Sequence, residues 1–180
     1  MENILVKNLM VPLTDYTVVP QTASLREAVI ALEKIQDKPY GNYPHQAVLV
    51  KNEAGDIVGK ISKWDVIRSL EPKYKEIGEF NSLSRFGFSV EFIKNMQSTY
   101  NLWQHEGDSL SELTANICVK DVMYTPNEGE YVSENSTLKV ALHLLAVGKH
   151  HSLIVLKDKK VVGVLRFVDV FNEIAKWIKQ

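Results

Sequence analysis

Val119-Lys120-Asp121-Val122-Met123 repeats Val6-Lys7-Asn8-Leu9-Met10, and Leu138-Lys139-Val140-Ala141 repeats Leu25-Arg26-Glu27-Ala28, both 113 residues downstream. Further along, Gly163-Val164-Leu165-Arg166-Phe167-Val168-Asp169 repeats Gly59-Lys60-Ile61-Ser62-Lys63-Trp64-Asp65 at 104 residues, because the first copy carries the longer middle loop. Matches that keep their order and spacing mark an internal duplication, which has to be read before any local motif. Two units this short do not each bury a core alone. The duplication therefore predicts a pseudo-symmetric pair whose shared cleft is the place to look for function.

The elements of the first copy follow from periodicity and punctuation. An apolar piece, Tyr16 to Val19, meets Pro20, and Ser24 with Glu27 three residues on has capping-box spacing, so a helix starts there. Leu25, Ala28, Val29, Leu32 and Ile35 share one face of it, and it ends before the breaker-rich run from Lys38 to Pro44. Ala47 to Val50 and Ile57 to Ile61 read as strands around the turn Asn52 to Asp56, and Trp64 to Leu70 opens a second helix. The second copy predicts the same order: Tyr131-Val132, a helix from Thr137 to Val147, strands Leu153 to Leu156 and Val161 to Leu165, and a helix from Val168 to Ile178. The fold class is α/β, with repeats over 1–70 and 117–180.

Residues 71–116 fit neither copy and are too many for a structureless loop in a compact domain, so this insert should hold helices of its own. Ser89 is placed to cap a segment in which Ile93, Met96, Tyr100 and Trp103 share a face, and Ser109 with Glu112 forms another capping box. That apolar face should be buried, against the repeats or a second chain.

Composition narrows the function class. Over 180 residues the formal net charge is −1, with Lys and Arg scattered rather than gathered in runs, which gives no footprint for nucleic acid or an anionic membrane. No stretch approaches the roughly 20 apolar residues of a membrane span, and the N-terminus has no signal-peptide pattern, so a cytoplasmic protein is expected. The single cysteine, Cys118, leaves no disulfide framework or thiolate cluster and reads as a small buried side chain. His143, His150 and His151 have no Cys or carboxylate partner at ligand spacing, so no metal is expected. No glycine-rich phosphate loop, nucleophile elbow or Cys-His pair occurs, so no enzymatic activity of its own is expected.

The repeated pattern resembles the cystathionine β-synthase (CBS) domain, and the pair resembles a Bateman module. The carriers are the Val-Lys-x-[Leu/Val]-Met starts, the Leu-x-x-Ala helix, the strand after His45 or His151, and Gly59-x-Ile61-Ser62-x-x-Asp65 with Gly163-x-Leu165-Arg166-x-x-Asp169. The stretches 70–75 and 83–89 also resemble a group of small stand-alone bacterial CBS-pair proteins. The resemblance implies a non-catalytic regulatory module that binds an adenine nucleotide, AMP, ADP or ATP and sometimes S-adenosylmethionine, in two clefts between the repeats. It implies that Asp65 and Asp169 accept hydrogen bonds from ribose hydroxyls and that Ser62 faces phosphate. Thr17-Val18 and His45-Gln46-Ala47 would wall the adenine, with Tyr131 and His151 as their counterparts in the second copy. It also implies a homodimer, with an unidentified regulated protein as partner.

The same residues carry plainer readings. Ser62-x-x-Asp65 at a strand-to-helix turn is a capping box, and the same geometry presents helix N-terminal amides to phosphate and a fixed carboxylate to a ribose. Arg166 stands where a Ser or Thr is usual. A cation there is opposed by the helix dipole unless an anion lies close, and that anion is Asp169, Asp65 or a bound phosphate. Glu128 and Glu130 lie in a loop that reads as a solvated turn, and Glu130 corresponds to Thr17. The first cleft is thus expected to combine Ser62, Asp65 and neutral Thr17, the second Arg166, Asp169 and acidic Glu130. The rival to a nucleotide sensor is a structural or partner-docking module with empty clefts.

Overall fold

The computed structural model describes residues 4–36, 46–75, 88–103 and 109–179. In chain order these give β1 (Val11–Pro12), β2 (Val18–Pro20), α1 (Leu25–Gln36), β3 (Ala47–Lys51), β4 (Ile57–Ser62) and α2 (Lys63–Ser69). The insert contributes α3 (Val90–Thr99) and α4 (Leu110–Asn116). The second copy follows as α5 (Val119–Val122), β5 (Tyr131–Ser133), α6 (Leu138–Gly148), β6 (Ser152–Lys157), β7 (Lys160–Arg166) and α7 (Phe167–Ile178). The strand-helix-strand-strand-helix order predicted for each copy is present in both.

Two sheets form, in the orders β2-β3-β4 and β1-β7-β6-β5. In each, the first strand of the copy runs parallel to the second and the second antiparallel to the third. The exception is β1, which belongs to the first copy by sequence yet pairs with β7 of the second, Val11 opposite Val164 and Pro12 opposite Gly163. The reciprocal pairing is a bridge between Lys60 and Tyr124. The copies therefore exchange their leading segments.

The repeated Val-Lys-x-[Leu/Val]-Met pentapeptide is the agent of that exchange. The first helical amide of α1, Leu25 N, donates to Ile117 O at 2.8 Å, while Val119 N and Lys120 N donate to Ala23 O and Gln21 O at 2.8 and 3.0 Å. The symmetric set is Leu138 N to Ile4 O at 2.8 Å, Val6 N to Ser136 O at 2.9 Å and Lys7 N to Glu134 O at 3.0 Å. Each leader thus satisfies an amide that a helix start would otherwise leave without an intrahelical partner. Val6 and Val119 are fully buried, each in the core of the opposite copy, and burying a valine contributes roughly 1.5–3 kcal/mol. A third cluster, Val11, Tyr16, Leu49, Ile154 and Val164, joins the two sheets face to face.

The insert departs from expectation. Ser89 caps α3 through Phe92 N at 3.1 Å, and Ser109 with Glu112 makes the capping box that starts α4. The apolar face of α3 is largely uncovered, however: Met96 is half-buried, but Ile93 is 52% exposed and Tyr100 and Trp103 are each 42% exposed. Among the described apolar residues of the insert, Leu102, just past the helix, is the buried one. The reason lies in the anchor. Buried Glu71 accepts hydrogen bonds from Lys73 N at 3.2 Å and Trp103 N at 2.5 Å, which hold the end of the segment against the turn Pro72–Lys75 and leave the helix body outside.

Candidate ligand-binding clefts

At the junction of β4 and α2, the sequence Ser62-Lys63-Trp64-Asp65 closes a capping box. Asp65 Oδ2 accepts from Ser62 N at 2.7 Å and from Ser62 Oγ at 2.6 Å, while Asp65 N donates weakly to Ser62 Oγ at 3.4 Å. Asp65 Oδ1 accepts no hydrogen bond among the described residues. Asp65 lines a cleft of about 530 Å³, and with it, along the same side of α2, stand Arg68 and Ser69. Opposite are Cys118, Asp121, Met123 and Tyr124 from the leader of the second copy. A volume of this order suits a nucleoside-sized ligand.

Tyr124 connects this cleft to a polar network between the copies. Its hydroxyl donates to Glu130 Oε1, and Lys60 Nζ lies 3.0 Å from Glu130 Oε2 and 5.1 Å from the centre of the Tyr124 ring. Lys60 Nζ also reaches Ser152 Oγ at 3.4 Å, and His150 Nδ1 lies 4.0 Å from Glu130 Oε2. Glu130 is only 2% exposed, so it leaves the solvated turn expected for its loop, in which Asn127, Glu128 and Gly129 remain exposed. The lysine of β4 draws the carboxylate inward. Burial alone would raise the pKa of Glu130, but hydrogen bonds from Tyr124 and Lys60 together with the lysine charge hold it below the usual carboxylate value. The Tyr124 hydroxyl is pushed up to about 12 by burial, then by Glu130 and, more weakly, by Asp65.

At the equivalent junction of β7 and α7, Arg166 donates from Nε to Asp169 Oδ2 at 2.5 Å and from Nη2 to Asp169 Oδ1 at 2.7 Å. Of the anions open to Arg166, the fold supplies Asp169. Arg166 is 5% exposed and faces Tyr16, which burial pushes up to about 12, with Arg166 opposing and Asp169 reinforcing the shift.

The clefts are therefore crossed relative to the sequence. Asp65 shares its cleft with Tyr124, which bonds Glu130 of the second copy, and Arg166 and Asp169 lie beside Tyr16 of the first, because the leaders have changed places. Ala47 stands opposite Ser62 in the sheet, while Val18 and Tyr131 pack into the central apolar cluster. His45 lies outside the described residues. Ala47 pairs with Ser62 as Ser152 pairs with Arg166, so His151 is the counterpart of Gln46, one residue off the expected match with His45. Its side chain is exposed, and its carbonyl accepts from Phe167 N at 2.9 Å. Cys118 is half-buried rather than buried, its thiol donating to Gln21 O at 3.3 Å. Among the described residues, no group of three histidine, cysteine or carboxylate side chains is arranged to hold a metal ion.

Lys60, Tyr124 and Arg68 were not singled out from the sequence, and His150 was weighed there only as a metal ligand. The available signal was a broken repeat: Lys60 and Tyr124 stand where the other copy has Val164 and Val11, a charged and aromatic pair in place of two valines.

The fold is shared with known proteins. Solved structures of similar fold include CBSX2 in complex with AMP, 22% identical, covering 99% of this chain and 100% of that one with a TM-score of 0.59. The CBS domain of a bacterial CNNM/CorC family Mg2+ transporter in complex with ATP is 18% identical over 97% of this chain and 89% of that one, with a TM-score of 0.63. An uncharacterized conserved protein from Pyrococcus horikoshii is 16% identical over 97% and 94%, with a TM-score of 0.60. At these identities the likeness is one of fold. No curated protein matches the chain. The model of the CBS domain matches residues 6–72 and 119–176, so two copies of it account for most of the sequence, and the chain belongs to the CBS domain family.

Proposed function

We propose that this protein is a regulatory module that binds an adenine nucleotide between its two CBS repeats and signals occupancy by a change in their relative arrangement. The observation that carries the reading is Asp65: a carboxylate fixed by its own helix cap, with one oxygen uncommitted among the described residues, on the wall of an open cleft. A ribose supplies the two hydroxyl donors that such an oxygen accepts. CBS-fold proteins with AMP and with ATP bound support the ligand class. The response follows from population shift and is limited by the ligand's differential affinity for the two arrangements. Catalysis is no part of the reading, and a cytoplasmic location is taken with it; no described helix is long and apolar enough to cross a membrane.

Calorimetry with AMP, ADP and ATP tests the proposal. Asp65→Ala should weaken the bound nucleotide by about 1.5–3 kcal/mol, the range for a hydrogen bond to a charged group. Absence of heat with all three ligands, or equal affinity in a folded Asp65→Ala variant, refutes it.

A second reading, a module that docks a partner or a second copy, is favoured by exposed apolar groups on the two pseudo-equivalent helices. Trp64 and Ile67 on α2 are 79% and 49% exposed, and Phe167 and Phe171 on α7 are 47% and 56% exposed. A surface with internal twofold symmetry suits an isologous contact, so a homodimer through α2 and α7 is proposed alongside the sensor. Sedimentation should give a dimer that Trp64→Glu with Phe171→Glu converts to monomer; a monomeric parent chain dismisses the dimer.

A further inference from the structure

We infer that each chain offers one competent nucleotide cleft, at Asp65, and that the pseudo-equivalent position at Asp169 is closed by its own arginine. The inference rests on the nucleotide-binding reading above and specifies where and how many times it is realised. The two aspartates occupy the same place in the fold, three residues after the last strand residue of each copy, but their oxygens are spent differently. Asp65 commits Oδ2 to Ser62 and leaves Oδ1 without a donor among the described residues. Asp169 commits both oxygens to Arg166, Oδ2 to Nε at 2.5 Å and Oδ1 to Nη2 at 2.7 Å.

A bidentate guanidinium–carboxylate pair is among the strongest charge-assisted contacts a protein makes. Arg166 is also 5% exposed, so a ribose that displaced it from Asp169 would leave a buried cation without its anion, the costly way to break such a pair. The side chain that replaces the first copy's serine therefore engages both oxygens of Asp169, and a ribose would have to compete with a guanidinium for them. The Asp65 cleft has the opposite arrangement. Its cation, Arg68, lines the opening, is exposed, and makes no ion pair among the described residues, which leaves it available to a phosphate.

Titration of the full chain with AMP, ADP and ATP decides the matter. The expected result is one equivalent per chain, with affinity reduced about tenfold or more by Asp65→Asn and unchanged within about twofold by Asp169→Asn. Arg166→Ser restores the Ser-x-x-Asp pattern and should raise the stoichiometry to two. Two equivalents in the parent chain overturn the inference, as does a single equivalent that Asp169→Asn abolishes and Asp65→Asn does not. A folded Arg166→Ser variant that still binds one equivalent removes the arginine as the closing element. Should that variant not fold, the parent stoichiometry and Asp65→Asn still decide. No binding of any of the three ligands sinks the nucleotide reading and this inference with it, whereas two equivalents sink this inference alone.

Discussion

Gly59 and Gly163 occur at the same place in the duplicated motif, and their neighbours explain what each position requires. A Cβ on Gly163 would sit 2.4 Å from Val11 O and 3.1 Å from Met10 Sδ; one on Gly59 would sit 2.7 Å from Met123 Sδ and 3.0 Å from Tyr124 O. Both glycines admit the exchanged leader of the other copy to close approach, a recurrent use of glycine within strands. The obstacle at Gly163 is backbone held in a strand pair, whereas the nearest at Gly59 is the end of a flexible methionine. Gly163→Ala should therefore cost about 1–3 kcal/mol, the range for overpacking, and Gly59→Ala distinctly less. Urea unfolding of the two variants measures the difference, and an equal or reversed order would contradict the account. The sequence exposed both glycines as part of the repeat, but which backbone comes close to them is a long-range fact without a local signal.

At the scale of elements, much of the fold was legible because periodicity and caps are local properties: α1, β3, β4, α6, β6, β7 and α7 form where spacing and turn residues place them. The exchange of leaders was not legible. A two-residue strand such as β1 has no period to read, and the pentapeptide that directs it would look the same whether it folded onto its own copy or the other. The candidate site inherited that blindness: the repeat alone sets Thr17 beside Asp65, whereas in the fold Asp65 shares its cleft with Tyr124 and the neighbour of Thr17, Tyr16, lies beside Arg166 and Asp169. For α3 the error had a different origin. Its amphipathic face predicts burial, but Glu71 captures only the end of the segment, aided by the Trp103 indole, which donates to the Tyr74 hydroxyl at 2.9 Å. Glu71→Ala should release that end. Amide exchange at Leu102 and Trp103 should rise about tenfold or more while Leu153 to Val155 in β6 stay protected, as expected of local rather than global opening. Unchanged exchange at Leu102 and Trp103 would show that something other than Glu71 holds the insert.

Across the whole molecule, the pseudo-twofold relation is broken chiefly at the contact between copies, where one half has Val11 and Val164 and the other has Tyr124, Lys60 and Glu130. This asymmetry makes the assembly of the two repeats depend on pH. Glu130 has a lowered pKa in the folded chain, so its contribution is present above the unfolded carboxylate range and is lost as pH falls through the folded value. Tyr16 and Tyr124 are raised to about 12, so the folded state favours their protonated form, and stability is lost as pH climbs from 10 toward 12. Lys60→Val alone should cost about 3–5 kcal/mol near neutral pH, because it strands a buried carboxylate. Lys60→Val combined with Glu130→Thr installs the residue types of the other half and should recover most of that loss, since Tyr124, at 37% exposure, has water to bond in place of Glu130. The double variant should also lose less stability than the parent as pH falls from about 5 to 3, because the group with the depressed pKa is gone. Urea unfolding of parent, single and double variants across pH 3 to 8 reads both effects. Additive losses together with an unchanged acid limb would mean that Lys60 and Glu130 act independently, and the contact between the copies would then owe its stability to the apolar cluster of Val11, Leu49, Ile154 and Val164 alone.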